Sequence, residues 1–150
     1  MATGVDTETA QRLRIVFGRL ARVLRPTEAS LAANLTPTRV AVLLNTVRNG
    51  PIRLPEVAEQ EGLNPTLLSR TVAHLAQDGL VTRRADEADR RSAWLDATPA
   101  GRDLAERIRA ERTRAVEVAL SELPAADRDR IEAALPALEE LAQHLQRVSQ

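Results

Sequence analysis

The chain contains no cysteine, which excludes disulfides, thiolate metal sites, cysteine nucleophiles and thiol-based redox sensing together. Histidine is almost as scarce. His74 and His144 are the only two and lie far apart in the sequence, so a His-rich zinc site is not expected. Lysine is absent: all 21 basic residues are Arg, a usage that carries no functional conclusion of its own. No apolar run approaches the roughly 18 residues that a membrane span needs. The opening segment through Arg14 lacks an apolar signal core, so a cytoplasmic location with no membrane partner is expected. Gly-rich phosphate loops, nucleophile motifs and paired His–carboxylate arrangements are also missing. The sequence therefore points away from an enzyme and calls for no cofactor and no metal.

What is present is an ordinary globular composition. In 150 residues, 43% are apolar and 28% charged, which suits one domain and not a disordered chain. Net charge is zero, which argues against bulk electrostatic capture of nucleic acid but leaves local patches open. The first 26 residues carry five Arg (Arg12, Arg14, Arg19, Arg22 and Arg25) against Asp6 and Glu8, whereas the remainder is slightly acidic. Composition alone identifies no nucleic-acid binder.

The apolar periodicity is that of helices. Leu13, Phe17, Leu20 and Leu24 recur at spacings of four, three and four, predicting a helix over 8–24 that Pro26 ends. Thr36-Pro37 is a cap followed by Pro at the first helical position, and Val40, Leu43, Leu44 and Val47 point inward from there. Asn49-Gly50-Pro51 stops that helix. A short helix over 55–61 should end at Gly62 in the left-handed region. Asn64 then caps a further helix to Asp78, with Leu68, Val72 and Leu75 inward and Thr66, Ser69, Arg70, Ala73 and His74 outward. Two short helices joined by a Gly-containing turn form a helix-turn-helix.

A hairpin follows at once, with strands over 80–84 and 92–97 around a polar tip. On its second strand Ala93, Leu95 and Ala97 share one face, and Trp94 and Asp96 the other. Thr98-Pro99 opens a long helix to about Leu120. After Leu123-Pro124 a last helix carries Ile131, Leu135, Leu138, Ala142 and Leu145 on one stripe and holds Pro136 in its interior. The fold class is mainly α with a small β-hairpin wing: a winged helix-turn-helix plus a helical region.

A helix-turn-helix with a wing suits DNA, because a helix fits the major groove, about 12 Å wide, while the hairpin reaches the flanking backbone or minor groove. The same arrangement also serves as a protein-docking module. The wording of the chain resembles the multiple-antibiotic-resistance regulator (MarR) family. Its carriers are Leu67-Leu68-Ser69-Arg70 through Leu75, Asp78-Gly79-Leu80-Val81, and the wing run from Asp89 to Gly101. The family's wing pattern is Asp-x-Arg, five residues, an aliphatic residue and Thr; Asp89, Arg91 and Thr98 match it. Ala97 stands where the family prefers Leu, and Ala88 where many members carry a further Arg.

The resemblance implies a single domain over 1–150, with a DNA-binding core at 27–98 and helical dimerisation segments at 1–26 and 99–150. It implies a homodimer on double-stranded DNA, reading a pseudo-palindromic operator and repressing. It also implies a small-molecule effector, often an aromatic acid, between winged head and helical base, although the sequence singles out no pocket. Leu13, Phe17, Leu20, Ile131, Leu135, Leu138 and Leu145 become the dimerisation residues, as their stripes also suggest, the alternative being that the stripes pack only within one chain. Thr66, Ser69, Arg70 and His74 become major-groove or phosphate contacts, the alternative being a solvated helix face. Arg90 and Arg91 would enter the minor groove or pair with Asp89; Arg83 and Arg84 would touch phosphate or offset Asp86 and Glu87. For Trp94 the expectation is a stack with Arg83 across the hairpin, the alternative being a ligand or subunit contact. The rival to DNA binding is a docking module, favoured by zero net charge and by the acids of the wing tip.

Overall fold

The structure is a computed structural model that describes residues 6–87, 89 and 92–148. Arg90, Arg91 and Ala88 lie outside the described residues. The chain divides into two compact units, one up to Arg112 and one from Thr113 onward.

The first unit opens with α1 (Thr7–Leu24), capped by Asp6, whose carboxylate accepts from the Glu8 amide. A one-turn helix, α2 (Glu28–Ala32), follows, and the periodicity had not shown it. Its basis is a reciprocal cap. The Thr27 hydroxyl accepts from the Ser30 amide and the Ser30 hydroxyl from the Thr27 amide, each at 3.1 Å. One turn is too short for an apolar stripe to register. The Glu111 carboxylate accepts from the Ala29 amide at 3.0 Å, which holds this turn against α6 (Pro99–Ser121).

The winged core has the expected elements with two additions. Helices α3 (Pro37–Asn49), α4 (Leu54–Glu61) and α5 (Pro65–Gln77) are capped or stopped where the sequence indicated: Thr36 and Asn64 accept from amides three residues on, and Gly62 is left-handed at φ 62°. A two-residue strand, β1 (Ile52–Arg53), was not anticipated. It pairs antiparallel with β3 (Ala93–Ala97), which also pairs with β2 (Val81–Ala85), so the wing is a three-stranded sheet in the order β1-β3-β2 and not a bare hairpin. Two residues carry no readable alternation, and only β3 reveals them as a strand.

The core gathers one fully buried large side chain from each of four elements: Leu43 of α3, Leu75 of α5, Leu95 of β3 and Ile108 of α6 (Pro99–Ser121). On α3, Val42, Asn45 and Thr46 are buried too, so that helix faces the core over a wider arc than Val40, Leu43, Leu44 and Val47 alone imply. The Thr46 hydroxyl is satisfied by donating to the Val42 carbonyl at 2.8 Å. The Asn45 amide donates to Gln60 and Glu61 side chains at the end of α4. Thr98 joins the wing to α6: its hydroxyl donates to the Gly79 carbonyl at 2.6 Å and accepts from the Gly101 amide at 3.0 Å. Gly101 is needed where α6 crosses the Leu80 carbonyl, since a Cβ there would collide with that backbone.

The second unit holds the end of α6 and α7 (Ala125–Val148), which runs through Pro136. No residue of α1 or of α7 is buried. Ile131, Leu135 and Leu145 on α7, and Phe17 and Leu20 on α1, are exposed; Leu13 and Leu138 are half-buried.

Candidate nucleic-acid interface

Helix α5 turns two unlike faces to its surroundings. Leu68, Thr71, Val72 and Leu75 are buried against the core, while Thr66, Ser69, Arg70 and Ala73 are exposed. The start of the helix is sharply defined because Asn64 Oδ1 accepts from the Leu67 amide at 2.8 Å. Thr66 therefore sits in the first turn, where free backbone N–H groups and the helix dipole favour an anion such as phosphate. Ser69 and Arg70 follow, with no intramolecular partner for either side chain among the described residues.

His74 is placed differently. It is half-buried, and its Nδ1 lies 2.8 Å from the Arg70 carbonyl. A carbonyl only accepts, so Nδ1 carries the proton and donates, which leaves Nε2 as the nitrogen turned outward. The sequence reading missed Leu67, the one large apolar side chain exposed on α5 at 40%. It lies three residues before Arg70 and seven before His74, on the edge of the same face. Its signal was present as a Leu off the apolar stripe of Leu68, Val72 and Leu75.

The sheet register settles the wing. Directly opposed residues share a face, and Arg83 is opposite Leu95 while Arg84 is opposite Trp94. Arg83 therefore lies on the face opposite to Trp94 and does not stack on it. The cation over the indole is Arg53 of β1, 5.1 Å from the ring centroid. Arg53 is Trp94's register partner from the other side of β3. The same guanidinium pairs with the Asp86 carboxylate at 3.0 Å. Arg83 and Arg84 are both exposed on β2. Asp96, expected beside Trp94, pairs with Arg102 of α6 at 2.9 Å. All these residues belong to the first unit. Among the described residues no cluster of three or more His, Asp or Glu is arranged to hold a metal ion, and no helix is long and apolar enough to cross a membrane.

Helix-turn-helix, three-stranded wing and crossing helix define a winged helix-turn-helix protein. Residues 33–92, from the end of α2 through the wing tip, match the MarR family model. A curated relative, the uncharacterized HTH-type transcriptional regulator YwhA of Bacillus subtilis (strain 168), is 24% identical over 101 residues, 67% of this chain and 73% of that protein. Among solved structures, MarR matches with a TM-score of 0.74 at 23% identity, over 88% of this chain and 98% of its own. NadR, solved in complex with 4-hydroxyphenylacetate, matches with a TM-score of 0.72 at 20% identity, over 99% of this chain and 97% of its own. Residues 33–92 thus match the MarR family model, as the wording of the chain implied, and the fold of the chain resembles that of MarR. That family is one of transcription regulators.

Proposed function

We propose that the protein is a DNA-binding transcription regulator that acts as a homodimer and reads a pseudo-palindromic operator. The observation that carries this reading is the open face of α5: Thr66, Ser69 and Arg70 are exposed on a helix whose other face is locked into the core of a MarR-type head. A helix so held presents its side chains to the major groove without first having to be ordered. Arg70 suits a guanine edge, Thr66 a phosphate, and Leu67 the methyl group of thymine. Arg83 and Arg84 on the wing reach flanking phosphates; the minor-groove contact expected of Arg90 and Arg91 is part of the same proposal.

Dimerisation rests on the stripes of α1 and α7. Phe17 and Leu20 on α1 and Ile131, Leu135 and Leu145 on α7 are apolar and exposed, and Leu13 and Leu138 on the same stripes are half-buried, as on helices that meet a second copy. The core at 27–98 is then the reading head, and the flanking segments are the means of pairing two heads at half-sites about 34–36 Å apart. Binding to a duplex taken from upstream of the protein's own gene, measured by gel shift against random DNA, tests this reading. Preference for the upstream duplex, by a species sedimenting as a dimer, is the expected result. Absence of any preference hands the fold to protein docking instead.

Repression relieved by an effector is the finer part of the reading. A cavity of about 310 Å³ lies beside the end of α1, floored by the buried Leu35 and Val40 and rimmed by Arg22, Arg25 and Ser30. Arg112 donates to the Arg25 carbonyl at 3.2 Å, and burial, then the neighbouring Arg25 charge, lowers its pKa. An apolar floor beneath crowded guanidinium groups suits a small aromatic carboxylate, whose charge would relieve that crowding. NadR's ligand, 4-hydroxyphenylacetate, is of this class and is the first compound to titrate for release of bound DNA.

A further inference from the structure

Arg53 occupies a position that local rules would give to another residue. It is the N-cap of α4, yet makes no side-chain cap hydrogen bond. N-caps favour Ser, Thr, Asp or Asn, and a cation is unfavourable at a helix's positive end. The guanidinium is engaged elsewhere: Nη2 lies 3.0 Å from Asp86 Oδ2, and the group lies 5.1 Å from the centre of the Trp94 ring. Asp86 follows directly on β2, where the chain leaves the sheet for the wing tip, and its side chain is only 5% exposed. A carboxylate this deeply buried is costly unless it is paired, so the wing root has a strong reason to stay on Arg53. A local rule broken with an evident gain elsewhere marks a functional compromise.

The gain is mechanical. Arg53 belongs at once to β1 and to the start of α4, which a short turn joins to α5. Through Asp86, the departure of the wing from the sheet is referred to the same helix pair that presents Thr66, Ser69 and Arg70. Trp94 sandwiches the arrangement from β3, where the flat guanidinium can both stack and donate, which a Lys ammonium does less well. We infer that Arg53 is a positioning residue for DNA recognition: clamped between Trp94 and Asp86, it sets the wing's angle so that wing and α5 engage one duplex together, without touching DNA itself. This rests on the proposed DNA-binding reading.

The test uses two duplexes with one upstream-derived core, one with flanks long enough for the wing and one trimmed to what α5 covers. Full-length parent, Arg53→Met, Arg53→Lys, Asp86→Asn and the Met/Asn double variant are compared well below their melting midpoints, with the folded fraction checked by circular dichroism. Trp94 is the only Trp and Tyr is absent, so acrylamide quenching of its emission reports on the clamp alone. Arg53→Met should raise quenching and weaken the flanked duplex roughly tenfold, as one lost groove contact would. It should leave the trimmed duplex unchanged. Arg53→Lys should restore part of the affinity. The double variant should bind better than Arg53→Met, because the buried carboxylate that loses its guanidinium loses its charge as well. A lowered melting midpoint with unchanged affinity of the folded protein makes the clamp merely structural and overturns the inference, as does equal loss on both duplexes. If Arg53→Met does not fold, Asp86→Asn with Arg53→Lys decides by the same comparison of duplexes. If the parent binds neither duplex, the DNA-binding reading fails and the inference with it.

Discussion

Helices α5 and α1 are written in one code and reach different ends. Leu68, Val72 and Leu75 recur on α5 at four and three, and all are buried. Leu13, Phe17, Leu20 and Leu24 recur on α1 at four, three and four, and none is buried. The difference lies in the surroundings. Helix α5 is met by α3, α4 and β2 of its own unit, so its stripe is covered once the head folds. The stripe of α1 is left without a buried residue, as is that of α7. Periodicity states which side of a helix is apolar; it does not state what covers that side. A second copy of the chain is the covering we propose for α1 and α7, and mutation of the two kinds of stripe separates them.

The largest expected effect is in the covered stripe. Leu75 is fully buried, so Leu75→Ala should cost about 2–5 kcal/mol in a chemical denaturation experiment, through lost burial and the cavity left behind. Leu20, which is 53% exposed in the single chain, gives the contrast. With α1 bare in solution, Leu20→Ala should change stability by less than about 0.5 kcal/mol. Covered by a second copy, it should cost more than that, with a midpoint that rises with protein concentration. We expect the second result, and we expect Leu20→Glu to convert the sedimenting dimer into a monomer that no longer folds stably. A compact, folded 16.4 kDa species for the parent at low micromolar concentration would break the comparison.

How much was legible follows from the same distinction. Caps and stops were readable because they are local: Thr36-Pro37, Asn64-Pro65, Gly62 and Thr98-Pro99 each act within a few residues, and each does what its chemistry requires. The alternation of Ala93, Leu95 and Ala97 was readable because it is periodic. The one-turn α2 and the two-residue β1 were not, since neither is long enough to show a period. Missing β1 has a consequence at the wing: without it Arg53 is invisible as a partner for Trp94, and the hairpin alone suggests Arg83, one register position from the residue opposite Trp94. The exposed face of α5 followed from its stripe by subtraction, but the turning back of His74 onto the Arg70 carbonyl is a side-chain choice that no spacing reports.

Within α5 itself the open face can be set against the buried one. Arg70→Ala removes an exposed side chain and should leave the melting midpoint near the parent's. If Arg70 is aimed at a guanine edge, the substitution should instead cost about 1–3 kcal/mol of discrimination between operator and random DNA. Equal affinities for both variant and parent on both DNAs would move Arg70 to a solvated face and favour docking.

The smallest expected effect separates the wing from α5. Arg84 is exposed on β2 opposite Trp94, on the sheet face that Asp96 also shares, whereas Arg83 shares the opposite face with Leu95. If Arg84 neutralises a phosphate, Arg84→Ala should weaken operator and random duplexes alike. It should also reduce the slope of log affinity against log salt by roughly one. Discrimination should not change, because phosphate carries no base information. Arg70→Ala should do the reverse, altering discrimination more than the salt slope. Affinities at two salt concentrations on both DNAs give all four quantities for each variant. An unchanged slope in Arg84→Ala with normal melting would show that the outward face of β2 does not lie along the backbone. The charge near the duplex would then have to come from Arg83 on the other face, turning the wing's contact surface over with respect to Trp94.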